Sequence, residues 1–592
     1  MEVSCWKGIL KIRMYNRRQI AVAIHYEGNV LKRKSYGADI HPVISDYAAQ
    51  FKAGKLHRRD FIQSATRLGM SAGAAFAIAG VMPSRQILAA TPKKGGNFRV
   101  SMNVKDASDP AIYDWSEKGN IARHMCEPLV QIDANNIARP HLAAGWRASK
   151  DLKTWTFKLR KGVRWSNGDS FGADDVVATV RRWLDPKTGS SNQGRFAAMT
   201  TLIDTGKIDK HGKPVKSRVA RAGAVEKVDD HTVRFHLARP DLSLPESFAD
   251  YPALITHRRF AEDGANLVKN PIGTGAFTLK QFAVGEKAVL DKRRDSPYWG
   301  GDIYLDRITY IDHGDDPAAE IGALASGQVD ANYQSSVEQV DTIRRLPNLN
   351  LLEMVTAQTG VARMKVTAQP FNNKNIRKAV QACVDHDKIL AIVYRGLGAV
   401  AEDHHVAPIH PEYAALPKLR QDYAAAHRYL AAAGRPNGIK LTIDCVANPA
   451  WEQNVCKALV EMCKPVGIQI SINIMPGGSY WDRWMTTPFG FTSWTHRALG
   501  VQVLNLAYRS GVAWNETSYA NPAFDALLDQ AGGVTDANDR RMVMAQAEAM
   551  LQDDAIISQS FWRSVFVAAN KGVHGLYPHV ALEHHFNKVW LA

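Results

Sequence analysis

Between Trp155 and Leu184 the chain changes its hydrophobic period from two to between three and four. Trp155, Phe157 and Leu159 alternate with Thr156, Lys158 and Arg160, the period of a strand with one buried face. Ser166-Asn167-Gly168-Asp169 interrupts the pattern as a polar turn. Val176, Val177, Val180, Trp183 and Leu184 then recur at helical spacing, with Asp174 and Asp175 in the first turn, where the helix dipole favours negative charge. Further along, residues 440–446 read as a strand with Leu441, Ile443 and Cys445 on one face, about 451–464 as a helix, and 467–475 as a second alternating strand. This is a β-α-β unit whose strands are expected to be parallel. Other helices are expected at 375–383, at 422–433 closed by Gly434, and at 539–552. The pattern predicts mixed α/β structure in several sheets.

Length and charge narrow the picture. A chain of 592 residues is too long for one core and is expected to hold two or three lobes, enough to bury a deep cleft. The net charge is +16, but residues 1–90 carry 14 Lys and Arg against 5 Asp and Glu, which leaves +7 for the rest. The body is mildly basic without a clustered stripe, so no nucleic-acid partner is expected. No Cys-x-x-Cys or His-x-x-x-His spacing occurs, and no metal or cofactor is expected.

The order of residues says more than their period. Residues 140–186, PHLAAGWRASKDLKTWTFKLRKGVRWSNGDSFGADDVVATVRRWLDP, resemble the signature of family 5 extracytoplasmic solute-binding proteins, the dipeptide- and oligopeptide-binding proteins of ABC importers. Asn270-Pro-Ile-Gly-Thr-Gly-Ala-Phe277 and Asp295-Ser-Pro-Tyr-Trp-Gly-Gly301 resemble two further segments of that family. Ala323 to Asp330, Pro370-Phe371 with Ile376 to Ala379, and Tyr519 to Leu527 extend the likeness over nearly all of residues 97–592.

The resemblance implies an α/β fold of the periplasmic binding protein-like class II, with three lobes, a discontinuous first lobe and an interlobe ligand cleft. Lobe I is expected at 91–127, 271–357 and 566–592, a peripheral lobe II at 128–270, and lobe III at 358–565. Chain crossings near Val355 and Val565 are then the hinge. It further implies a monomer that captures a small-molecule ligand by lobe closure and delivers it to ABC permease membrane subunits. Only contacts made to both lobes at once drive such closure.

Residues 1–54 form an N-terminal extension of uncertain status, with Met14 as an alternative start. His57-Arg58-Arg59-Asp60-Phe61-Ile62-Gln63 resembles a twin-arginine export signal and precedes 17 uncharged residues, Leu68 to Ser84. That stretch is too short and weakly apolar for a membrane span. Residues 55–90 are thus expected to be a signal peptide, cleaved after Leu88-Ala89-Ala90 and before Thr91, giving an exported, soluble, periplasmic protein. Five cysteines follow: Cys126, Cys383, Cys445, Cys456 and Cys463. Cys456 and Cys463 lie about 10.5 Å apart along one helix, beyond the roughly 7 Å limit for a disulfide. Cys445 with Cys456 is the feasible bridge, and the family's peptide-binding members have one in a comparable place; five free thiols is the alternative.

Candidate ligand residues cluster at Ser493-Trp494-Thr495-His496-Arg497. Dipeptide-binding relatives follow a Gly-Trp-Thr with an aspartate that holds the peptide ammonium. Here no acidic residue occurs between Asp482 and Glu516. An ammonium buried without a carboxylate is costly, so capture of a free amino terminus is disfavoured. Arg497 instead offers a fork for a carboxylate, phosphate or sulfonate, His496 donates or accepts beside it, and Trp494 offers a stacking face. The structural alternative is that Arg497 forms an ion pair and Trp494 is core. Further candidates are Trp115, Tyr333, Arg363 and Asn515, each with a solvated or structural alternative.

The leading function is thus the substrate-binding component of an importer, not an enzyme, for a peptide-like, opine-like or other carboxylated solute. Within the same family the alternatives are a sugar carrier or a haem or nickel carrier, the latter using His404, His405 and His410 in a loop where solvated histidines are the ordinary reading. A secreted hydrolase is a further class, but the one nucleophile-elbow match, Gly69 to Gly73, lies in the leader.

Overall fold

Two long strands, Leu349–Met364 and Phe561–Asn570, run antiparallel and join the two larger halves of the molecule. They belong to one mixed sheet in the computed structural model, which describes residues 41, 43–70, 72–79, 91–208, 214–314 and 316–592. The sheet runs Phe277–Ala283, Lys287–Lys292, Arg307–Ile311, Asn97–Ser101, Ala331–Asn332, then the two long strands, then Phe489–Trp494, Ile439–Val446 and Ile468–Met475. The ladder between the long strands is regular from Leu349↔Asn570 to Val355↔Ser564 and shifts before Gln358↔Arg563. Thr356 spans this irregularity, its hydroxyl donating to the Arg563 carbonyl at 2.8 Å. A bulge bends and twists its strand, and this one lies beside the crossings expected to act as hinge.

Three packed units surround this backbone, referred to below as lobes I, II and III. Lobe I packs Phe98, Val100, Leu290, Ile308 and Phe586 around the first strands. Lobe III carries two cores, one on the β-α-β end of the sheet and one around Leu504, Phe524 and Met544. Lobe II has its own antiparallel sheet, ordered Ala143–Ala148, Thr154–Leu159, Thr232–His236 and Val225–Asp229. Trp155, Phe157 and Leu159 are buried as the alternation predicts, and so is Thr156 on the other face. The strand is an inner one, hydrogen-bonded on both edges, which explains the departure. The helix Ala173–Leu184 buries Val176, Val180, Trp183 and Leu184. Its Asp175 is also buried, accepting from the Gly172 and Arg258 amides and from Trp165 Nε1, so it caps the helix start.

The predicted β-α-β unit is present: Ile439–Val446 and Ile468–Met475 pair in parallel around the helix Ala450–Cys463. The three further predicted helices occur at Lys374–Ala382, Tyr423–Ala432 and Ala537–Asp554. Between lobes I and II the Gly-Thr-Gly segment has a defined role. A Cβ on Gly273 or Gly275 would stand 2.1 or 2.2 Å from the Met125 or His124 carbonyl, so only glycine allows this approach. It brings Thr274 Oγ1 to the buried Glu127 carboxylate at 2.9 Å, where Trp299 Nε1 at 2.8 Å and the Tyr298 hydroxyl also donate.

The helices Val43–Lys52, Arg58–Arg67 and Ala72–Ile78 pack along lobes II and III. Arg67 pairs with Glu246 at 2.7 Å, Trp146 Nε1 donates to the Arg67 carbonyl, and Arg541 reaches Asp60 at 3.1 Å. Met14 and the expected cleavage segment Leu88 to Ala90 lie outside the described residues.

Candidate functional site

The strand Phe489–Trp494 pairs with Leu349–Met364 and delivers Trp494, Thr495, His496 and Arg497 to the line where lobe III meets lobe II and the long strands. His496 Nδ1 accepts from the Ala357 amide at 3.1 Å, and Nε2 lies 3.0 Å from Asn136 Oδ1 of lobe II. Asn136 also donates to the Ala498 carbonyl at 2.9 Å. Arg497 Nη1 donates to Thr495 Oγ1 and the His496 carbonyl, and Nε lies 3.4 Å from Asp250 Oδ2 of lobe II. Burial opposes ionisation of Asp250, but Arg195 and Arg497 outweigh it and hold its carboxyl below the usual range. Arg497 therefore has an ion-pair partner, and that partner comes from another lobe.

Trp494 is buried, its Nε1 donating to Glu516 Oε1 at 2.8 Å. The other oxygen of Glu516 accepts from Thr492 Oγ1 at 2.7 Å and from Trp484 Nε1, and stands 2.8 Å from Arg363 Nε. Arg363 also donates to the Thr487 and Trp484 carbonyls, both at 2.6 Å. Arg363 and Trp494 thus organise the interior of lobe III. Asn515 is a loop organiser as well: its amide donates to the Tyr519 carbonyl at 2.7 Å and its Oδ1 accepts from Thr517 and the Tyr519 amide.

Trp115 meets lobe III. Its ring stands edge-on to Trp481 of lobe III, centroids 5.5 Å apart, and carries Lys105 Nζ at 3.6 Å on its face. Trp481, Trp484, Trp514 and Trp494 continue a series of edge-to-face contacts at 5.6 to 6.5 Å. Tyr333 meets His584 edge-on at 5.6 Å and is half-buried in lobe I. Burial, aided by Glu117, pushes its hydroxyl far up.

The sequence-predicted residues thus fall into a seam group, His496 and Arg497, an aromatic pair of lobe I, Trp115 and Tyr333, and an interior group, Arg363, Trp494 and Asn515. Sequence reasoning missed Asp250, Asn136 and Arg195, which lobe II contributes, and Glu516, which it treated only as the end of an acid-free window.

His404, His405 and His410 do not stand in a solvated loop. All three are buried, at 0, 1 and 4 % exposure, because Trp494, Tyr508 and Trp562 enclose the His405 ring. His410 bonds the Ala407 amide and the Arg497 carbonyl, His405 Nδ1 bonds the Tyr508 hydroxyl, and His404 meets Glu402 at 3.1 Å. They are packed among partners of lobe III and do not converge on one point. Among the described residues His579, Glu583 and His585 have ligand atoms close enough for an ion. Both nitrogens of His579 are engaged, Nε2 with the Ile132 carbonyl and Nδ1 with the Ala581 amide, and Glu583 clamps Arg123 at 3.0 Å. That donor set does not suit a cation.

The five cysteines among the described residues are all buried thiols. Cys445 neighbours Cys456, and Cys383 neighbours Cys463, each pair within hydrogen-bond reach.

Three packed units are joined by two long antiparallel strands, and separate units supply the side chains of the seam. The sequence profile of bacterial extracellular solute-binding proteins, family 5 (middle region) matches residues 138–510, and the chain belongs to that family. The dipeptide-binding protein DppE of Bacillus subtilis is 24% identical over 550 residues, covering 86% of this chain and 96% of its own. The periplasmic oligopeptide-binding protein OppA of Escherichia coli is 25% identical over 480 residues, covering 76% and 83%. Among solved structures, Helicobacter pylori DppA with the peptide STSA superposes with a TM-score of 0.72 at 22% identity, over 84% of this chain and 98% of that one. AgaA of A. tumefaciens R10 with agropinic acid gives a TM-score of 0.71 at 20% identity, over 84% and 99%. These structures share the fold.

Proposed function

We propose that this chain is the extracytoplasmic substrate-binding component of an ABC importer, a monomer that closes its lobes on a peptide-like or carboxylated solute and hands it unchanged to the permease. The observation that carries this is the Ser493 to Arg497 segment. One stretch of lobe III bonds the long-strand backbone through His496 and lobe II through both His496 and Arg497. A solute seated there touches both sides of the cleft, the requirement for ligand-driven closure. Family membership supports the reading, as do relatives named for dipeptides and oligopeptides. The structure bound to agropinic acid makes a carboxylated, non-peptide solute chemically reasonable within the same fold.

In this reading Trp115, Tyr333, His496 and Arg497 contact the solute, while Trp494, Arg363 and Asn515 hold the strand and loops behind them. The lobe borders remain 91–127 with 271–357 and 566–592, 128–270, and 358–565. Residues 55–90 act as a twin-arginine signal for a periplasmic destination. No described helix is long and apolar enough to cross a membrane. Replacing Arg58-Arg59 by Lys-Lys is expected to strand the precursor in the cytoplasm, and normal export would overturn that assignment.

The carrier reading is tested by native mass spectrometry of the purified chain, followed by small-angle scattering with and without the small molecule that co-purifies. A more compact particle with the solute released intact is expected. Identical scattering curves, or a solute recovered cleaved or modified, would overturn it.

A further inference from the structure

Asp250 is held by two guanidiniums, one from each side of the seam. Arg195 of lobe II donates from Nε to Asp250 Oδ2 at 2.6 Å, and Arg497 Nε of lobe III approaches the same oxygen at 3.4 Å. The other oxygen, Oδ1, accepts from the Tyr251 amide at 2.9 Å. Arg195 is fixed further by donating to the Ser191 carbonyl at 2.6 Å and by lying between the rings of Tyr251 and Trp514 of lobe III, 5.5 and 5.1 Å from their centroids. Both arginines are more than nine-tenths buried, yet Arg195 Nη2 and Arg497 Nε lack an acceptor in hydrogen-bond geometry. Buried guanidinium donors ordinarily find acceptors, because leaving them unpaired forfeits hydration with nothing in exchange.

Both side chains line a pocket at the seam together with Ser243, Ser247, Gln502 and Asn505. It encloses about 20 Å³, room for one water. The other charges on its wall have partners: Arg239 pairs with Asp529 at 3.1 Å, and Asp241 accepts from the Ser243 amide and hydroxyl. Gln502 Oε1 on the same wall is a buried acceptor without a partner, so two unpaired guanidinium donors stand against one unpaired acceptor. The excess is of donors, on two planar forks, at a spot that already seats a carboxylate.

We propose that Arg195 and Arg497 form a clamp across the lobe II–lobe III seam for a carboxylate of the transported solute, with Asp250 occupying the clamp in the solute's place. The inference rests on the carrier reading and narrows it to solutes with a free carboxylate. Once the Asp250 side chain turns out of the clamp, a solute carboxylate takes up the same donors, whereas a ligand ammonium would face two guanidiniums. Since each lobe supplies one fork, the bound carboxylate ties the lobes together, and bidentate charge-assisted bonds give it orientation.

The test uses the full chain and a random dipeptide library in two forms, one N-acetylated with a free carboxylate, the other with a free amine and an amidated carboxyl. Retained species are read by mass spectrometry after desalting. The acetylated acids are expected to be retained at least tenfold over the amides, and Arg195→Gln is expected to erase that preference, with Arg195→Lys restoring part of it. Amides retained as well as or better than acids by the unsubstituted chain would overturn the clamp while leaving the carrier reading standing, and this arm does not depend on a variant's folding. Retention of neither form would overturn the peptide-like carrier reading, and the clamp with it.

Discussion

His496 of lobe III and Asn136 of lobe II are joined by a 3.0 Å contact between Nε2 and Oδ1. Because Nδ1 accepts from the Ala357 amide, Nε2 carries the proton and donates to the Asn136 oxygen. A single neutral imidazole therefore spans a backbone crossing and a neighbouring lobe. Burial, then His410, His579 and Arg497, push its pKa well below the usual value. A second proton would fall on Nδ1 and face an N–H.

The pH dependence follows from the sign of that shift. The unfolded chain binds a proton on this histidine below about pH 6.5, and the folded chain resists it. Stability is thus fully present above pH 6.5 and declines as pH falls toward the folded value. His405 and His410, held down to about 3 and about 4 chiefly by burial, add to the same trend. From pH 7.5 to 5 the thermal midpoint of the unsubstituted chain, taken relative to that of His496→Gln, is expected to fall, which separates this histidine from buried carboxylates of opposite sign. A difference independent of pH across this window would contradict it.

Glu452 lies behind Ser493 in the first turn of the helix Ala450–Cys463, and burial raises its carboxyl to about 8, against the opposing effects of Ser493 and Arg563. Here the sign reverses. The unfolded chain gives up this proton near 4.5 and the folded chain keeps it until about pH 8, so stability is lost as pH rises between those values. Glu452→Gln removes the cost, and its stabilisation is expected to be near zero at pH 4.5 and about 1–3 kcal/mol at pH 7. Urea unfolding midpoints at the two pH values measure it, and an equal effect at both would reject the titration.

The strand at Thr154–Leu159, the helix Ala173–Leu184 and the β-α-β unit were legible because their apolar residues repeat with the period of the element. Arg497 was legible as a departure from a known pattern. The lobe II side of the seam was not: Asp250, which meets Arg497, Arg195, which holds Asp250, and Asn136, which meets His496, stand hundreds of residues upstream, and no local period links them. Glu516 was misread for the same reason, since only the turn of the chain after Phe489–Trp494 brings its carboxylate onto Trp494. The histidines at 404, 405 and 410 lie in a segment without periodicity, which resembles a solvated loop until aromatic rings from three other segments close over it.

Arg363 and Glu516 form an ion pair at 2.8 Å with side chains at 0 and 1 % exposure. Removing one partner leaves the other charge buried, at a cost of about 3–5 kcal/mol, while neutral partners of similar volume recover much of it. Arg363→Met is therefore expected to lower urea stability by that amount, and Arg363→Met with Glu516→Gln by clearly less, a coupling read from the double-mutant cycle. A loss below about 1 kcal/mol for the single change would show the pair to be relaxed by solvent.

The thiols of lobe III are expected to oxidise in two pairs, Cys445 with Cys456 and Cys383 with Cys463, leaving Cys126 alone. The second pair joins the end of the helix Lys374–Ala382 to the end of Ala450–Cys463, whose contact is fixed independently by the Asp385 amide against Met462 Sδ at 3.4 Å. Glutathione disulfide is the oxidant in the test: each protein disulfide formed reduces one glutathione disulfide to two thiols. Burial and the neighbouring thiol raise the pKa of Cys456, and in Cys463 the Cys383 contact does so first and burial second. The thiolate is therefore scarce, and oxidation is expected to be slow in buffer and faster in moderate urea, where the lobe opens. Closing the longer loop between Cys383 and Cys463 is expected to contribute about 4 kcal/mol and the shorter one about 2–3 kcal/mol. Non-reducing peptide mapping reads the connectivity, and a bridge to Cys126, or four free thiols in lobe III after oxidation in urea and refolding, would show that these pairs are neighbours by packing alone.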